Sequence, residues 1–343
     1  IQTAYYNFIR EQGFIEEKDA PRKDKDARQK TSGLVDLGIV NDERRLTDAG
    51  RALLAIAESG NFSRDNILRI PNDSFIYFKQ LLKSSCLFET DNVRPYVVLA
   101  YILSEIGEIS KSEFTYLLPL AINKEKTERI VNYIKAIRSN YATIDDAIVS
   151  VISEMENYQE AKKMLIETSV INDVLIQEIG MNRKSRTYDV PYARLYHTLR
   201  AFNTTPNDNT AIELFNAVDK ISGKARTYWK MYLFNSVSRH RLETTGIRNV
   251  KRNKAILTIA DEIAFKEEFF KLLHLFKAKS LLDDYYDLNK RYFKTSDTII
   301  FQDDKVRFDI IPNCYFALVK DCLLDIAFSK ADNLELNCEM SEI

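Results

Sequence analysis

The stretch that most constrains the fold is Asp26–Leu54, DARQKTSGLVDLGIVNDERRLTDAGRALL. It specifies a basic helix, a tight β-hairpin and a second, capped helix in close succession. Arg28 and Lys30 precede Leu34, Val35 and Leu37 at roughly helical spacing, and Gly38 stands where a left-handed residue ends a helix. Ile39-Val40 reads as a short strand, Asn41-Asp42-Glu43 as turn chemistry and Arg44-Arg45-Leu46 as the return strand. Thr47 is placed to N-cap the next helix, with Asp48 supplying negative charge to its first turn. Helix, two-stranded wing, helix is the order of a winged helix-turn-helix. In such a unit the first helix enters a DNA groove and wing arginines lie on phosphates. Winged helices also mediate protein contacts, so the stretch alone leaves both uses open.

The remaining chain reads as helix after helix. Gly and Pro number only 9 and 7 in 343 residues, which favours helices with short connections over a β-sandwich or a Rossmann sheet. The length allows two or three domains. No apolar run approaches the ~18 residues that span a bilayer, and no signal peptide is visible. Cys86, Cys314, Cys322 and Cys338 lack paired spacing and read as reduced thiols of a cytoplasmic protein, neither disulfides nor zinc ligands.

Local signals predict the elements. Residues 1–14 form a helix with Tyr5, Phe8 and Ile9 as its apolar stripe, and 61–88 form helix (SRDNILRI), loop at Pro71, and helix (DSFIYFKQLLKSSCLF). Pro95 opens PYVVLAYILSEIG, which Gly107 ends. Ser110 and Glu113 form a capping box that opens KSEFTYLLPLA, and Asn123 caps KEKTERIVNYIKAIR. Toward the C-terminus, 256–279 and 280–293 read as two helices, TSDTIIF-QDD-KVRFDII as a hairpin turning at Gln302-Asp303-Asp304, and NCYFALVKDCLLDIAF as a closing helix. The expected fold class is mainly α with small β-hairpins, built from tandem winged-helix and helix-turn-helix modules. The expected divisions are a winged-helix DNA-recognition module over 1–90, a helix-turn-helix module over 91–143 and an acidic helical connector over 144–180. A basic helical region with a C-terminal winged-helix-like module covers 181–330, and an acidic tail or linker covers 331–343.

Net charge is −1, but its distribution is uneven. Gly223–Lys254 holds nine Lys/Arg against Glu243 alone, and includes Tyr228, Trp229 and Tyr232. Met181–Arg200 holds five against Asp189, and Lys18–Thr31 six against three, whereas Ile144–Glu178 carries eight acids and two lysines. Basic segments divided by an acidic one suggest a DNA-facing side and a solvated side. The expected contacts are Arg22, Lys23, Lys25, Arg28 and Lys30 on the first recognition helix and its lead-in, with Arg44 and Arg45 on wing phosphates. Arg183, Lys184 and Arg186 join Lys224, Arg226 and Lys230 in a second surface. Arg239, Arg241, Arg248, Lys251, Arg252 and Lys254 lie in a basic loop expected to wrap the backbone.

Catalytic patterns are scarce. A nuclease of the D…(D/E)-x-K kind needs metal-binding carboxylates and a lysine on adjacent strands. The nearest match is Asp297 with Asp303-Asp304-Lys305, yet Asp303 falls in a hairpin turn and no flanking strands supply the sheet. No catalytic or metal-binding residue is assigned on this basis; Asp297, Asp303 and Lys305 are the nearest candidates. His197 and His274 read as packing residues, while His240 sits between Arg239 and Arg241, within reach of a phosphate. No phosphate-binding loop, GxSxG or dinucleotide fingerprint occurs.

One family fits these features. KDARQKTSGLVDLGIVNDERRLTDAGRALL resembles the N-terminal recognition module of AlwI-type restriction endonucleases, a type IIS group that includes strand-nicking relatives. The pattern is carried by Arg28, Lys30, Gly33, Leu34, Val35, Leu46, Thr47, Ala49, Gly50 and Arg51. NVRPYVVLAYILSEIGEISKSEF resembles the family's second module, and DLNKRYFKTSDTIIFQDDKVRFDIIPNCYF a segment ahead of its nuclease domain. The resemblance implies modular, largely helical recognition of double-stranded DNA and a separate C-terminal PD-(D/E)xK domain that uses Mg²⁺. That domain is not recognisable here, so the chain reads as the recognition region, partnered by a nuclease domain or second subunit. Two other readings stand beside it: a winged-helix transcription regulator, and a helical scaffold whose basic stretches bind acidic proteins.

Overall fold

The computed structural model describes residues 2–13, 15, 21–88, 90–180, 186–330 and 333–335. In chain order, the elements begin with helices α1 (Gln2–Glu11), α2 (Lys23–Asp36), α3 (Asp48–Ser59) and α4 (Asn72–Lys83). Strands β1 (Cys86–Phe88) and β2 (Asp91–Val93) follow, then α5 (Pro95–Ile106), β3 (Glu108–Ser110), α6 (Lys111–Tyr116) and α7 (Lys124–Arg138). Next come α8 (Ile144–Ile152), α9 (Glu156–Glu167), α10 (Asp173–Ile179), α11 (Pro191–Thr204), α12 (Asp208–Asp219), α13 (Gly223–Leu233) and α14 (Arg239–Thr245). The chain closes with α15 (Glu262–Lys294), the hairpin β4 (Ile299–Gln302) and β5 (Lys305–Phe308), α16 (Ile310–Leu318) and α17 (Lys320–Ala327). The fold is mainly helical with small antiparallel sheets, as expected.

Two compact units emerge, and they are nested in sequence. Unit 1 comprises residues 1–114, 118–135 and 286–343; unit 2 comprises 115–117 and 136–285. Residues 91–114, 118–135 and 286–330, placed in separate modules by the sequence reading, therefore share one unit. The cause is strand pairing. Glu108–Ser110, read as the turn of a helix-turn-helix, is instead the edge strand of a sheet ordered β3-β5-β4, with Ile109 opposite Val306.

In unit 1, α5 is buried nearly all round, from Tyr96 to Leu103, and forms the centre of the core. Aromatic rings gather about it: Phe78 meets Tyr96 edge-on at 5.9 Å, and Phe316 stacks on Phe308 at 4.5 Å. In unit 2 the core is built on the first part of α15, where Phe269 and Phe276 pack against Trp229 at 6.2 and 5.0 Å.

The motif Leu46-Thr47-Asp48-Ala49-Gly50 has a direct physical reading. Thr47 Oγ1 accepts from the Gly50 N–H at 3.1 Å and donates to the Gly38 carbonyl at 2.6 Å, so one hydroxyl caps α3 and anchors the end of α2. A Cβ at Gly50 would lie 2.1 Å from the Ile39 carbonyl oxygen. Gly50→Ala is therefore expected to cost about 1–3 kcal/mol through forced backbone displacement, read as a lowered unfolding midpoint in urea. Gly38 has φ +64°, and its N–H donates to Val35, closing α2 as the sequence requires.

Several expectations need correction. The wing over 39–46 is a single bridge, Val40 to Leu46, because the Asn41–Arg45 turn closes immediately within it. SRDNILRI is not helical: the Asn66 side chain bonds the Ile70 backbone and Arg69 takes φ +54°, which closes a local loop ahead of Pro71. The second helix of that pair stops at Lys83, and Cys86–Phe88 pairs as a strand with Asp91–Val93. In α1 the buried residues are Tyr6 and Ile9, whereas Phe8 is exposed. Pro119 ends KSEFTYLLPLA as a short helix and a 3₁₀ turn. The two helices read over 256–293 are one, since nothing between Glu262 and Lys294 breaks it. The closing helix is α16 and α17, separated at Val319.

The acidic connector is likewise three helices, the first capped by Thr143 and the third by Asn172, that contribute Ile148, Val151, Tyr158 and Leu165 to the unit 2 core. The capping box at Ser110 and Glu113 is present, at 3.1 and 2.5 Å, as is the hairpin turn at Asp303 and Asp304. The acidic tail, apart from 333–335, lies outside the described residues, as does Cys338; Cys86, Cys314 and Cys322 are free and exposed.

Candidate nucleic-acid interface

The first basic surface belongs to unit 1. Helix α2 buries Ala27 and Thr31, whose hydroxyl donates to the Ala27 carbonyl at 3.0 Å. With that face inward, Lys25, Arg28 and Lys30 are turned to solvent. Arg22 immediately precedes the helix and pairs with Asp24 at 3.3 Å, while Arg28 reaches the same carboxylate at 3.4 Å with 56% of its side chain exposed. Ion pairs this exposed are weak and are readily exchanged for a phosphate. Lys23 lies over the Tyr6 ring.

The two turn arginines differ in role. Arg44, at φ +65°, folds back so that its Nε donates to Thr31 Oγ1 at 3.2 Å and its Nη1 to the Asp42 carbonyl at 3.2 Å. It ties the turn to α2. Arg45 extends outward, 79% exposed, with Glu43 at 3.3 Å. Only Arg45 of the pair presents its guanidinium as a wing contact requires.

The second basic surface belongs to unit 2, and it is less open than its charge count suggests. Trp229 is fully buried, so it builds the core and offers no stacking platform. Lys230 pairs with Asp219 at 2.5 Å and lies over the Phe215 ring at 4.3 Å. Lys224 faces Asp283 and Asp284, at 3.8 and 3.6 Å. Lys251 donates to the Met231 carbonyl at 2.7 Å, Lys254 sits over Tyr232, and Arg239 pairs with Glu243 along α14. Arg226, Arg241, Arg248 and Arg252 remain exposed. Arg183 and Lys184 lie outside the described residues; the Arg186 backbone opens a 3₁₀ turn.

Residues 239–254, loop-like in sequence, instead form α14 and a 3₁₀ turn and are firmly held. Asn249 is buried and bonds the Ser236 backbone twice, accepting at 2.9 Å and donating at 3.0 Å. Asp208 accepts from the Ile247 N–H at 2.7 Å, and Phe234 bridges Val250. The charge pattern pointed to the arginines but not to Asn249 and Asp208, which fix the backbone beneath them. A lone Asn or Asp amid polar residues carries no periodic signal.

The nearest catalytic candidates do not assemble a metal centre. Asp297, at φ +50°, accepts from the Ser74 hydroxyl at 3.1 Å; Asp303 lies in the hairpin turn; Lys305 pairs with Glu108 at 2.5 Å. Among the described residues, no group of three His, Cys, Asp or Glu side chains is placed to hold a metal. These residues do not fit a Mg²⁺ site. The histidines are dispersed as expected: His197 Nε2 meets the Ile171 carbonyl at 2.8 Å, His274 is buried, and His240 is exposed. No helix among the described residues is long and apolar enough to cross a membrane.

Searches of curated proteins and of solved structures found no match. The AlwI restriction endonuclease family, in contrast, matches residues 35–342. That span takes in Leu46-Thr47-Asp48-Ala49-Gly50, the paired β3 and β5, and the Gly223–Lys254 segment, and it implies DNA as the partner. Covering nearly the whole length, it establishes that the chain belongs to the AlwI restriction endonuclease family.

Proposed function

We propose that this chain is the sequence-recognition region of a cytoplasmic, type IIS-like restriction endonuclease, which binds duplex DNA asymmetrically through the winged-helix-like unit of α2 and the Asn41–Arg45 turn. The carrying observation is the solvent-facing basic row of α2, Lys25, Arg28 and Lys30, set beside the Asn41–Arg45 turn. A helix with one face packed and the other cationic is the element that enters a major groove. Arg45 then serves the adjoining phosphates, and Arg241, Arg248 and Arg252 track the backbone from unit 2. Strand hydrolysis, with Mg²⁺, is assigned to a nuclease domain or second subunit beyond the residues described here.

The test is selection of bound sequences from a random duplex pool with Mg²⁺ present, the products being run on a denaturing gel. An asymmetric enriched site supports the reading. A palindromic site supports a transcription regulator, and no enrichment supports a protein scaffold. A cut at a fixed distance would return Asp297, Asp303 and Lys305 to consideration. On the enriched site, Arg28→Ala is expected to cost about 1–3 kcal/mol and relax one base position. Arg252→Ala is expected to weaken cognate and scrambled duplexes alike and to lower the salt slope by about one. Unchanged binding in both variants would defeat this surface.

A further inference from the structure

Unit 2 carries a half-open cavity of about 720 Å³, within the range of small-molecule sites. Its wall holds two buried groups whose hydrogen bonds are incomplete. Asp189, 1% exposed, accepts from Lys277 Nζ through Oδ1 at 2.7 Å, while Oδ2 has no partner among the described residues. The carboxylate packs directly against Gly180, where a Cβ would lie 2.5 Å from Oδ2, so that position admits no side chain. His274, 5% exposed, hydrogen-bonds the Ile179 backbone, and its Nε2 has no partner among the described residues. Burial keeps the ring neutral, and the proton lies on the nitrogen facing Ile179. Nε2 is therefore an acceptor, as is Asp189 Oδ2.

Two orphaned acceptors in one cavity call for a ligand that donates N–H groups. Lys277 already balances the carboxylate, so the pair is poor in net negative charge and selects a neutral donor over a cation. Tyr188, 57% exposed, also lines the cavity and supplies an aromatic side chain beside which a planar ligand can lie. We propose that this cavity receives an amino-bearing nucleobase (guanine, adenine or cytosine) with its N–H groups on Asp189 Oδ2 and His274 Nε2. Thymine, with one N–H between two carbonyls, is disfavoured. The base can come from a free nucleotide or from a nucleotide swung out of duplex DNA, and only the second source rests on the DNA reading above.

Two arms separate these sources. In the first, the whole chain is titrated with the four deoxynucleoside 5′-monophosphates in a calorimeter. In the second, duplexes that the chain retains carry 2-aminopurine for each adenine, pyrrolocytosine for each cytosine, or 6-methylisoxanthopterin for each guanine, in turn. A free-nucleotide site is expected to bind dAMP, dGMP or dCMP at least about ten-fold more tightly than dTMP. An extrahelical base is expected to brighten one duplex position several-fold. In either case Asp189→Asn, which keeps an oxygen for Lys277 but replaces Oδ2 by a donor, should weaken the signal at least about ten-fold. Tyr188→Ala should weaken it with unchanged thermal unfolding. Trp229 emission verifies the fold of each variant. The proposal is overturned if no monophosphate binds selectively and no position brightens in a retained duplex, an outcome that leaves DNA recognition standing. If no duplex is retained, the DNA reading fails and the monophosphates alone decide.

Discussion

Acidification from pH 6.5 to about 4 is expected to cost unit 2 about 3 kcal/mol through His274 alone. Burial, followed by the nearby Lys277 ammonium, lowers its pKa from 6.5 to about 3. The unfolded chain therefore binds a proton in this window that the folded chain refuses, and stability falls as the pH drops, by roughly 1.4 kcal/mol per unit. The ring is packed against Phe270 at 4.3 Å and Tyr158 at 5.5 Å, which supply no counter-charge. Asp189 acts in the opposite sense. Desolvation raises the Asp189 pKa, so acid relieves part of the cost of burying that carboxylate. His274→Asn, which retains a donor for Ile179, isolates the histidine contribution. Urea unfolding followed by Trp229 emission should show a steep dependence on pH in the parent and a shallower or reversed one in the variant. Equal slopes would mean that His274 is not held neutral.

Trp229→Ala is expected to destabilise unit 2 by about 3–5 kcal/mol, through lost burial and the cavity left behind. The indole is fully buried against Phe269 and Phe276. Circular dichroism during urea unfolding measures the loss. The same variant, under conditions where it is folded, should retain duplex DNA with an unchanged salt slope. A stable variant with weakened DNA binding would instead place the indole on the nucleic acid, and the packing described here would be wrong.

This residue also marks how far the sequence can be read. Features fixed within a few residues were legible: the Thr47 cap, the left-handed Gly38, Pro95 at the start of α5, the Ser110–Glu113 box and the turn at Asp303-Asp304. Each is set by local backbone chemistry. The charge of Gly223–Lys254 was legible too, but its partition was not. A count of basic residues does not reveal that Lys230 lies beside Asp219 or that Lys251 reaches the Met231 carbonyl, because helix packing decides which side of α13 is covered. The pairing of β3 with β5 was hidden for a related reason. Glu108–Ser110 is too short to announce itself as a strand, and its partner lies far along the chain. The Asp189–His274 cavity left no trace in spacing, since α15 and the turn before α11 meet only in the folded unit.

The nesting of the two units has a consequence for synthesis. All residues of unit 2 have been made once Tyr285 is joined, whereas unit 1 awaits the hairpin that pairs with Glu108–Ser110 and the α17 carbonyl of Ala327 that receives the Arg94 N–H. The inserted unit can thus mature on the ribosome while its host remains open. Loop closure across so long a separation is slow, which makes the emerging host segment, with α5 and its apolar faces uncovered, the stage at which a chaperone has most to shield.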